Sequence, residues 1–380
     1  MKIGIDIRAL ANSQMSGIGH YLYHGLQNIL AADTENQYYL FSSGWNEKNY
    51  DWLPLHQTNV IRVHLKIPNK LLNLGLSLPG LVDIIKKIPA PLDLFWLPNL
   101  NFFQTQSQTP LILTIHDLSF LHHRDFYSWK RVWWHKLANL RRLIKQARMI
   151  MVISENTKRD LVRFFSVAEE KIRKIAPGIS TIAIDREQAR GLVKPLDLPD
   201  KYFLFVGTIE PRKNVSGVIQ AFDRFYQKHP EYNLVIAGGL GWLYHRILRQ
   251  MKDRPYIKYL GYVASPLKEA LYTCSQGLIW PSFYEGYGFP PLEALSQGVP
   301  VITSFKTSLP EILKNQVIYV DPYNVSDIYQ ALMALGRDDK LAPMLGRAAA
   351  EVSWPHWPEQ GEKIINLFRE VAKHEDNHRS

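Results

Sequence analysis

The sequence of 380 residues contains a single cysteine, Cys274. One thiol cannot form an intramolecular disulfide, and it cannot by itself hold a zinc module or an iron–sulfur cluster. We therefore expect a reducing compartment.

The sequence also lacks any uninterrupted run of 18 apolar residues, so we expect no membrane-spanning helix and only peripheral membrane contact. The first residues, MKIGIDIRAL, place Asp6 and Arg8 inside the apolar stretch, so we expect no ordinary secretory signal there.

The composition is that of a folded and basic chain. Hydrophobic residues make up 46% and charged residues 21%, which excludes disordered and low-complexity classes. Lys and Arg number 45 against 35 Asp and Glu, a net charge of +10 that favours phosphorylated ligands, nucleic acid or an anionic membrane. No nucleic-acid readout motif accompanies this charge, so we expect no nucleic-acid partner.

Short apolar runs alternate with helical segments along the chain, which predicts the α/β class. The runs lie at 3–7, 94–98, 111–115 and 149–154, and then at 202–207, 233–238, 277–281, 299–303 and 317–321. The pattern predicts parallel strands joined by crossover helices. Between 176 and 201 prolines and charges interrupt it. We therefore predict two Rossmann-like doubly wound domains, 1–178 and 179–353, facing a central cleft, with a final helical segment at 354–380 that could pack on either domain.

The stretch WPSFYEGYGFPPLEALSQGVPVI, from Trp280 to Ile302, joins a predicted strand to a predicted helix through two glycines. A helix N-terminus offers free N–H groups and partial positive charge to phosphate. Glu285 lies in the loop and Glu293 about one turn into the helix, where carboxylates could accept hydrogen bonds from sugar hydroxyls. The alternative is that Glu285 is a solvated loop residue and Glu293 only complements the helix dipole.

A basic turn, VGTIEPRKN at 206–214, follows the strand that opens the second domain. Arg212 and Lys213 stand at the carboxyl end of that strand, where a ligand of a doubly wound sheet would lie. Fixed cations there could stabilise the charge that develops on a departing nucleoside diphosphate. The alternative is a solvated basic turn.

Both segments resemble those of retaining glycosyltransferases of family 4, which have the two-domain GT-B architecture. Such enzymes transfer a sugar from a nucleotide diphosphate donor. The resemblance implies that Glu285 binds sugar hydroxyls and Glu293 the nucleotide ribose. It also implies that the loop from Gly286 to Gly288 and Phe289 faces the diphosphate, and that Arg212 and Lys213 contact it. The sequence has no Asp-x-Asp motif, so we predict that no divalent metal and no cofactor is required.

Two further elements of the first domain resemble the family. The run LILTIHDLSF ends a predicted strand with His116, which the resemblance places near the donor sugar and the reacting centre. The loop MSGIGHY carries Gly17 and Gly19, which resemble the family's glycine pair beside the donor phosphate and the acceptor. The alternatives are a structural histidine and an ordinary glycine-rich connection.

Two basic apolar segments could contact a membrane. Residues 124–148 hold eight Lys or Arg and one acid together with three tryptophans, and residues 66–89 combine Leu and Ile with lysines. One interpretation is docking on the anionic cytoplasmic face of a membrane that carries a lipid-linked acceptor. The other is that the tryptophans are core residues and the bases a solvated face.

Taken together, these features predict a cytoplasmic, metal-independent, retaining hexosyltransferase that acts on a glycan or lipid-linked glycan in surface polysaccharide synthesis. The motifs are similar in style to bacterial mannosyltransferases, which favours GDP-mannose as donor and leaves a UDP-hexose open. Two alternatives remain: a soluble transferase that makes a small disaccharide, and a nucleotide-sugar-binding scaffold without activity.

Overall fold

The computed structural model describes residues 1–11, 15–46, 57–78, 80–337 and 354–379. The strands are β1 Lys2–Asp6, β2 Gln37–Ser43, β3 Val60–Leu65, β4 Leu94–Leu97, β5 Leu111–Ile115, β6 Ala147–Val152, β7 Ile172–Lys174, β8 Tyr202–Val206, β9 Asn233–Ala237, β10 Ile257–Gly261, β11 Gly277–Trp280, β12 Val301–Ser304 and β13 Ile318–Val320. The helices are α1 Gly17–Ala32, α2 Asn69–Ser77, α3 Ser119–His122, α4 Trp129–Ala138, α5 Leu140–Gln146, α6 Glu155–Phe165, α7 Arg186–Val193, α8 Val215–Tyr226, α9 Tyr244–Met251, α10 Leu267–Cys274, α11 Phe289–Ser296, α12 Leu309–Leu313, α13 Val325–Arg337 and α14 Trp357–Arg379.

The chain divides into two compact units. The first comprises Met1–Leu118, Trp129–Gly178 and the chain from Pro355 onward. The second comprises Ser119–Ser128 and Ile179–Trp354. Each unit contains a parallel sheet connected by helices, as the alternating apolar runs predict.

The sheet of the first unit has the strand order β3-β2-β1-β4-β5-β6-β7. Strand β1 pairs in parallel with both β2 and β4, so the direction in which strands are added reverses between β1 and β4. Strands β4 and β5 are buried at every residue, because helices cover both faces of such a sheet. The carboxyl ends of β1 and β4 therefore border the switch point at which doubly wound sheets bind ligands, and β5 lies next to β4.

The sheet of the second unit has the order β10-β9-β8-β11-β12-β13. Here the direction reverses between β8 and β11, which pair through Phe203 with Gly277 and Leu204 with Leu278. The turn after β8 and the loop after β11 consequently begin side by side. These are the two segments that carry the predicted donor-binding residues.

The segment Ser119–Ser128 belongs to the second unit, whereas the predicted first domain, 1–178, includes it. Aromatic contacts hold it there: the Phe126 ring lies 5.0 Å from that of Phe283, and Tyr127 stacks on Trp242 at 5.3 Å. The Trp242 indole N–H also donates to the Phe126 carbonyl. The order of residues along the chain gives no sign of these contacts.

Helix α14 packs within the first unit. Trp357 at its start lies against Tyr21 of α1, with ring centroids 5.5 Å apart, and Phe368 lies 5.6 Å from the buried Trp96 of β4. Burial of these aromatic surfaces ties the end of the chain to the first sheet. Among the described residues, no helix combines the length and apolarity that crossing a bilayer requires.

Candidate functional site

Four charged side chains meet at the switch point of the second unit. Lys213 Nζ donates to both carboxylate oxygens of Glu285, at 2.7 and 2.9 Å. Arg212 Nη1 lies 3.3 Å from Glu285 Oε2 and donates to the Tyr284 carbonyl at 2.8 Å. On its other side, Arg212 donates through Nε to Glu210 at 3.0 Å and forms an ion pair through Nη2 at 2.7 Å. The structure therefore brings together three of the predicted site residues and adds a fourth, Glu210.

The main chain fixes the two segments against each other. The N–H of Phe283, after β11, donates to the carbonyl of Arg212, after β8, at 3.0 Å. The Glu285 N–H donates to the Thr307 hydroxyl at 3.0 Å, and the Ser308 hydroxyl donates to the Glu285 carbonyl at 2.9 Å. The loop that carries Glu285 is thus held by residues that follow β8 and β12, so the carboxylate has a defined position.

Burial makes the charges of this cluster interdependent. Glu285 and Glu210 are 5% and 2% exposed. Burial raises the pKa of Glu285, but Lys213 and Arg212 outweigh it and hold this pKa below its usual value. Burial, followed by the neighbouring Arg212, lowers the pKa of Lys213, and burial raises that of Glu210. With all four groups charged, two carboxylates balance two cations.

The Lys213 ammonium lies over an aromatic ring. Its Nζ lies 4.6 Å from the ring centroid of Trp280, a cation–π distance, and Trp280 stacks on Phe205 at 4.9 Å. Gly207 permits the close approach of β8 to this ring, since a Cβ there would stand 2.4 Å from Trp280. The ammonium is therefore held between a carboxylate and a ring.

The glycine loop ends at the start of α11. Gly288 has a φ of +107° and a Cβ on it would lie 2.6 Å from Leu309, so conformation and space both require glycine. Gly286 and Gly288 are buried, and Phe289 begins the helix half-buried. The predicted contact of this loop with the diphosphate stays a prediction.

Glu293 lies in a separate cluster. Its carboxylate accepts from Lys268 Nζ at 2.7 Å and from the Tyr272 hydroxyl at 3.0 Å, both on α10. The two glutamates that the sequence motif joins therefore have different cationic partners. The ribose contact of Glu293 stays a prediction.

In the first unit His116 follows β5 and is fixed by its neighbours. Its Nε2–H donates to the Pro98 carbonyl, after β4, at 2.8 Å, so the neutral ring keeps Nδ1 unprotonated. The Tyr21 ring lies edge-on to it at 4.7 Å, and the Thr157 hydroxyl donates to the His116 carbonyl at 3.2 Å. His116 thus follows the carboxyl end of β5 and contacts the residue that follows β4, at the end of the sheet where the sequence places it. Its role near the donor stays a prediction.

We expect the His116 ring to be neutral at pH 7. Burial lowers its pKa below the ordinary 6.5, against the smaller opposing effects of the Pro98 carbonyl and Asp117. Stability from this group is therefore present above pH 6.5 and is lost as the pH falls through the folded-state pKa. Imidazole ¹⁵N–¹H spectra across a pH series would measure it; a ring protonated at pH 7 would contradict the geometry.

Gly17 and Gly19 begin α1, where Ser16 caps the helix by accepting from the Gly19 N–H at 3.2 Å. A Cβ on Gly17 would meet no heavy atom within 4 Å, and one on Gly19 would touch Met15 at an ordinary 3.4 Å. Packing within the protein therefore does not demand glycine at either position. Room for a ligand remains the predicted reason.

Residues 192–352 match the family described as glycosyl transferases group 1, and residues 16–182 match glycosyltransferase family 4. Over 281 residues the chain is 31% identical to O-antigen chain mannosyltransferase B of Escherichia coli, covering 71% of this chain and 72% of that protein. The chain belongs to the group 1, family 4 glycosyltransferases.

Two solved structures share the fold of this glycosyltransferase. Sucrose-phosphate synthase of Thermosynechococcus elongatus matches with a TM-score of 0.76 at 17% identity, over 98% of this chain and 99% of that one. The Anabaena protein HepE, in complex with UDP and glucose, matches with a TM-score of 0.72 at 13% identity, over 97% of this chain and 100% of that one. The predicted GT-B fold of two parallel-sheet α/β domains is confirmed.

Four partners of the predicted residues in this glycosyltransferase were not predicted. Glu210 and Trp280 contact the cations of the first cluster, and Lys268 and Tyr272 contact Glu293. The sequence signal for Glu210 was its position, two residues before Arg212. Across the residues that the structure describes, no group of three or more His, Cys, Asp or Glu is arranged to hold a metal ion.

Proposed function

We propose that this glycosyltransferase is a retaining, metal-independent enzyme that transfers mannose from GDP-mannose to a hydroxyl of a glycan or lipid-linked glycan. The reaction would belong to surface polysaccharide synthesis at the cytoplasmic face of the membrane, with no cofactor beyond the nucleotide sugar. The observation that carries the proposal is the pairing of Arg212 and Lys213 with Glu285 at the switch point of the second sheet.

In this pairing, the diphosphate of a donor could replace the Glu285 carboxylate as the anion bound to Lys213 and Arg212. The diphosphate of a donor is a stronger and more highly charged acceptor than a single carboxylate, so we expect it to take Lys213 and Arg212 from Glu285. Glu210 would continue to hold Arg212 through its other edge. The released Glu285 carboxylate could then accept hydrogen bonds from hydroxyls of the donor sugar. Donor binding would thereby create the sugar-binding group.

The same cations would serve the chemical step. When the bond between the sugar C1 and the β-phosphate oxygen breaks, negative charge grows on that oxygen, and Arg212 with Lys213 would stabilise it. The acceptor oxygen forms the new bond to C1 from the same face, and its proton passes to the departing β-phosphate. Two fixed side-chain cations take the place of a divalent ion in this scheme, which is the basis for proposing metal independence.

The choice of sugar and acceptor draws on the relative from Escherichia coli, whose name describes a mannosyltransferase of an O-antigen chain. An O-antigen is a surface polysaccharide, so a glycan or lipid-linked glycan acceptor is the corresponding proposal for this enzyme. Retention of the anomeric configuration follows from the family resemblance.

A donor panel tests this proposal. Purified enzyme is incubated with GDP-mannose and with UDP-hexoses, with excess EDTA or Mg²⁺, and release of nucleoside diphosphate is measured. We expect turnover with GDP-mannose to be the fastest and unchanged by EDTA. Loss of activity in EDTA that Mg²⁺ restores would refute metal independence, and faster turnover of a UDP-hexose would refute the sugar assignment. Tight nucleotide binding without turnover of any donor would favour an inactive scaffold.

A further inference from the structure

Helix α4 of the first unit presents an apolar stripe to solvent. Trp129, Trp133 and Leu137 are four residues apart and therefore lie on one face of the helix. They are between 52% and 69% exposed, which is unusual for side chains of this size. Trp134 points the other way and packs edge-on against Phe102 at 5.4 Å. Trp134 is therefore half-buried, and Trp129 and Trp133 are exposed, so none of the three tryptophans is a fully buried core residue.

Helix α2 carries a second stripe. Leu71, Leu74 and Leu78, the residue that follows the helix, are spaced three and four apart and are each more than half exposed. Leu81 in the next turn is 65% exposed. On the opposite face Leu72 and Leu76 are buried. The buried pair is enough to anchor α2, so the exposed leucines are not needed for its packing.

One segment after β4 joins these two helices. The Phe102 ring packs on Trp134 of α4, and the Phe102 carbonyl accepts from Arg8, whose guanidinium also reaches Asn73 of α2 at 3.5 Å. In the amide orientation that satisfies its neighbours, the Gln104 side chain donates to the main-chain carbonyls of Leu76, in α2, and of Leu78. Both helices therefore pack on a common support in the first unit. We call their two exposed stripes together, Trp129, Trp133 and Leu137 with Leu71, Leu74, Leu78 and Leu81, the α2–α4 surface.

Cations surround both stripes. Lys130 and Lys136 lie over the Trp129 and Trp133 rings, at 5.8 and 5.3 Å, and are exposed. Neither forms an ion pair with a carboxylate in the part of the chain that the structure describes. On α2 and in the segments that precede and follow it, further lysines are exposed: Lys66, Lys70, Lys86 and Lys87. Exposed indoles with adjacent ammonium groups match the chemistry of an anionic lipid surface, with rings at the level of the headgroups and lysines on the phosphates.

We propose that the α2–α4 surface docks the enzyme on an anionic phospholipid bilayer. The indoles of Trp129 and Trp133 and the leucines of α2 enter the headgroup region, while the lysines neutralise lipid phosphates. A water-soluble protein rarely leaves an apolar surface of this kind uncovered, and the positive charge around it disfavours a second copy of the same basic surface as its partner. The proposal extends the proposed function to a docking site, and membrane binding is measurable without any donor or acceptor.

Co-sedimentation of the full chain with lipid vesicles tests this. Wild-type protein is expected to bind vesicles of phosphatidylglycerol and phosphatidylcholine in equal parts at least about tenfold more tightly than phosphatidylcholine alone. The pair Trp129→Ser with Trp133→Ser should weaken binding at least about tenfold, because two interfacial indoles are lost. The pair Lys130→Glu with Lys136→Glu should weaken it by a similar factor.

The matched control is Arg246→Glu with Arg249→Glu, which reverses two exposed charges on α9 of the second unit and should leave binding unchanged. All variants should keep wild-type melting curves and transfer to a soluble acceptor. Absence of wild-type binding to anionic vesicles, or equal losses from the α4 and α9 pairs, would overturn the proposal. So would a wild-type dimer that the tryptophan pair dissociates, since the stripe would then contact a second copy.

Discussion

Replacing Glu285 with Gln is expected to lower turnover by about 100- to 1,000-fold, because the amide cannot serve as an anionic acceptor for the sugar hydroxyls. The Glu285→Gln substitution also removes the carboxylate that Lys213 and Arg212 share as counter-charge. Breaking a buried pair of this kind costs about 3–5 kcal/mol. Initial rates with GDP-mannose and thermal melts measure the two effects separately.

Asp223→Asn is the matched control for Glu285→Gln. Asp223 forms an ion pair with Arg254, at 2.8 Å, elsewhere in the second unit. Loss of this ion pair should lower the free energy of unfolding, while turnover per folded molecule stays near that of the wild type. Near-normal turnover of the Glu285→Gln variant would contradict the role of Glu285 in donor binding, whether or not the variant is less stable.

Lys213→Met is expected to weaken binding of free nucleoside diphosphate by about 100-fold. The change keeps an unbranched apolar side chain beside Trp280 and removes the ammonium that lies over its ring. Charge-assisted hydrogen bonds to an anion contribute about 1.5–3 kcal/mol. Competition of GDP against the donor, or direct calorimetric titration of GDP, measures the loss. Affinity for the bare nucleoside should change little, since it carries no phosphate.

Lys201→Met provides the control for Lys213→Met. Its ammonium lies 5.2 Å from the Tyr232 ring, a similar cation–π geometry at an exposed position just before β8. We expect GDP binding of this variant to equal that of the wild type. Equal affinities of Lys213→Met and wild type for GDP would contradict the proposed role of the ammonium.

The sequence predicted the central strands of both sheets and missed several others. Strands β4, β5, β8 and β11 are buried on both faces, so they appear as continuous apolar runs. Strands β3, β7 and β10 lie at sheet edges and have exposed or half-exposed residues, which interrupts the apolar signal. Strand β2 begins and ends on polar residues, Gln37 and Ser43, so its apolar stretch is short.

The sequence also placed Arg212, Lys213 and Glu285 at strand ends that prove to be neighbours. It could not show that the cations bind Glu285, since this contact joins residues more than 70 positions apart. Nor could the sequence show that Glu293 lies in a different cluster from Glu285. Its ion-pair partner, Lys268, is on α10, a helix that contains no recognisable motif. On α4, helical spacing alone did not distinguish the packed Trp134 from the exposed Trp129 and Trp133, because that choice depends on where Phe102 lies.

The central claim is that the donor diphosphate takes Lys213 and Arg212 from Glu285. A crystal structure of the enzyme with GDP-mannose, or with an unreactive analogue of it, tests this most directly. We predict phosphate oxygens within hydrogen-bonding distance of Lys213 Nζ and Arg212, with the Glu285 carboxylate turned to the sugar hydroxyls and Glu210 still bound to Arg212. A bound donor that leaves both ion pairs of Glu285 intact would contradict the account.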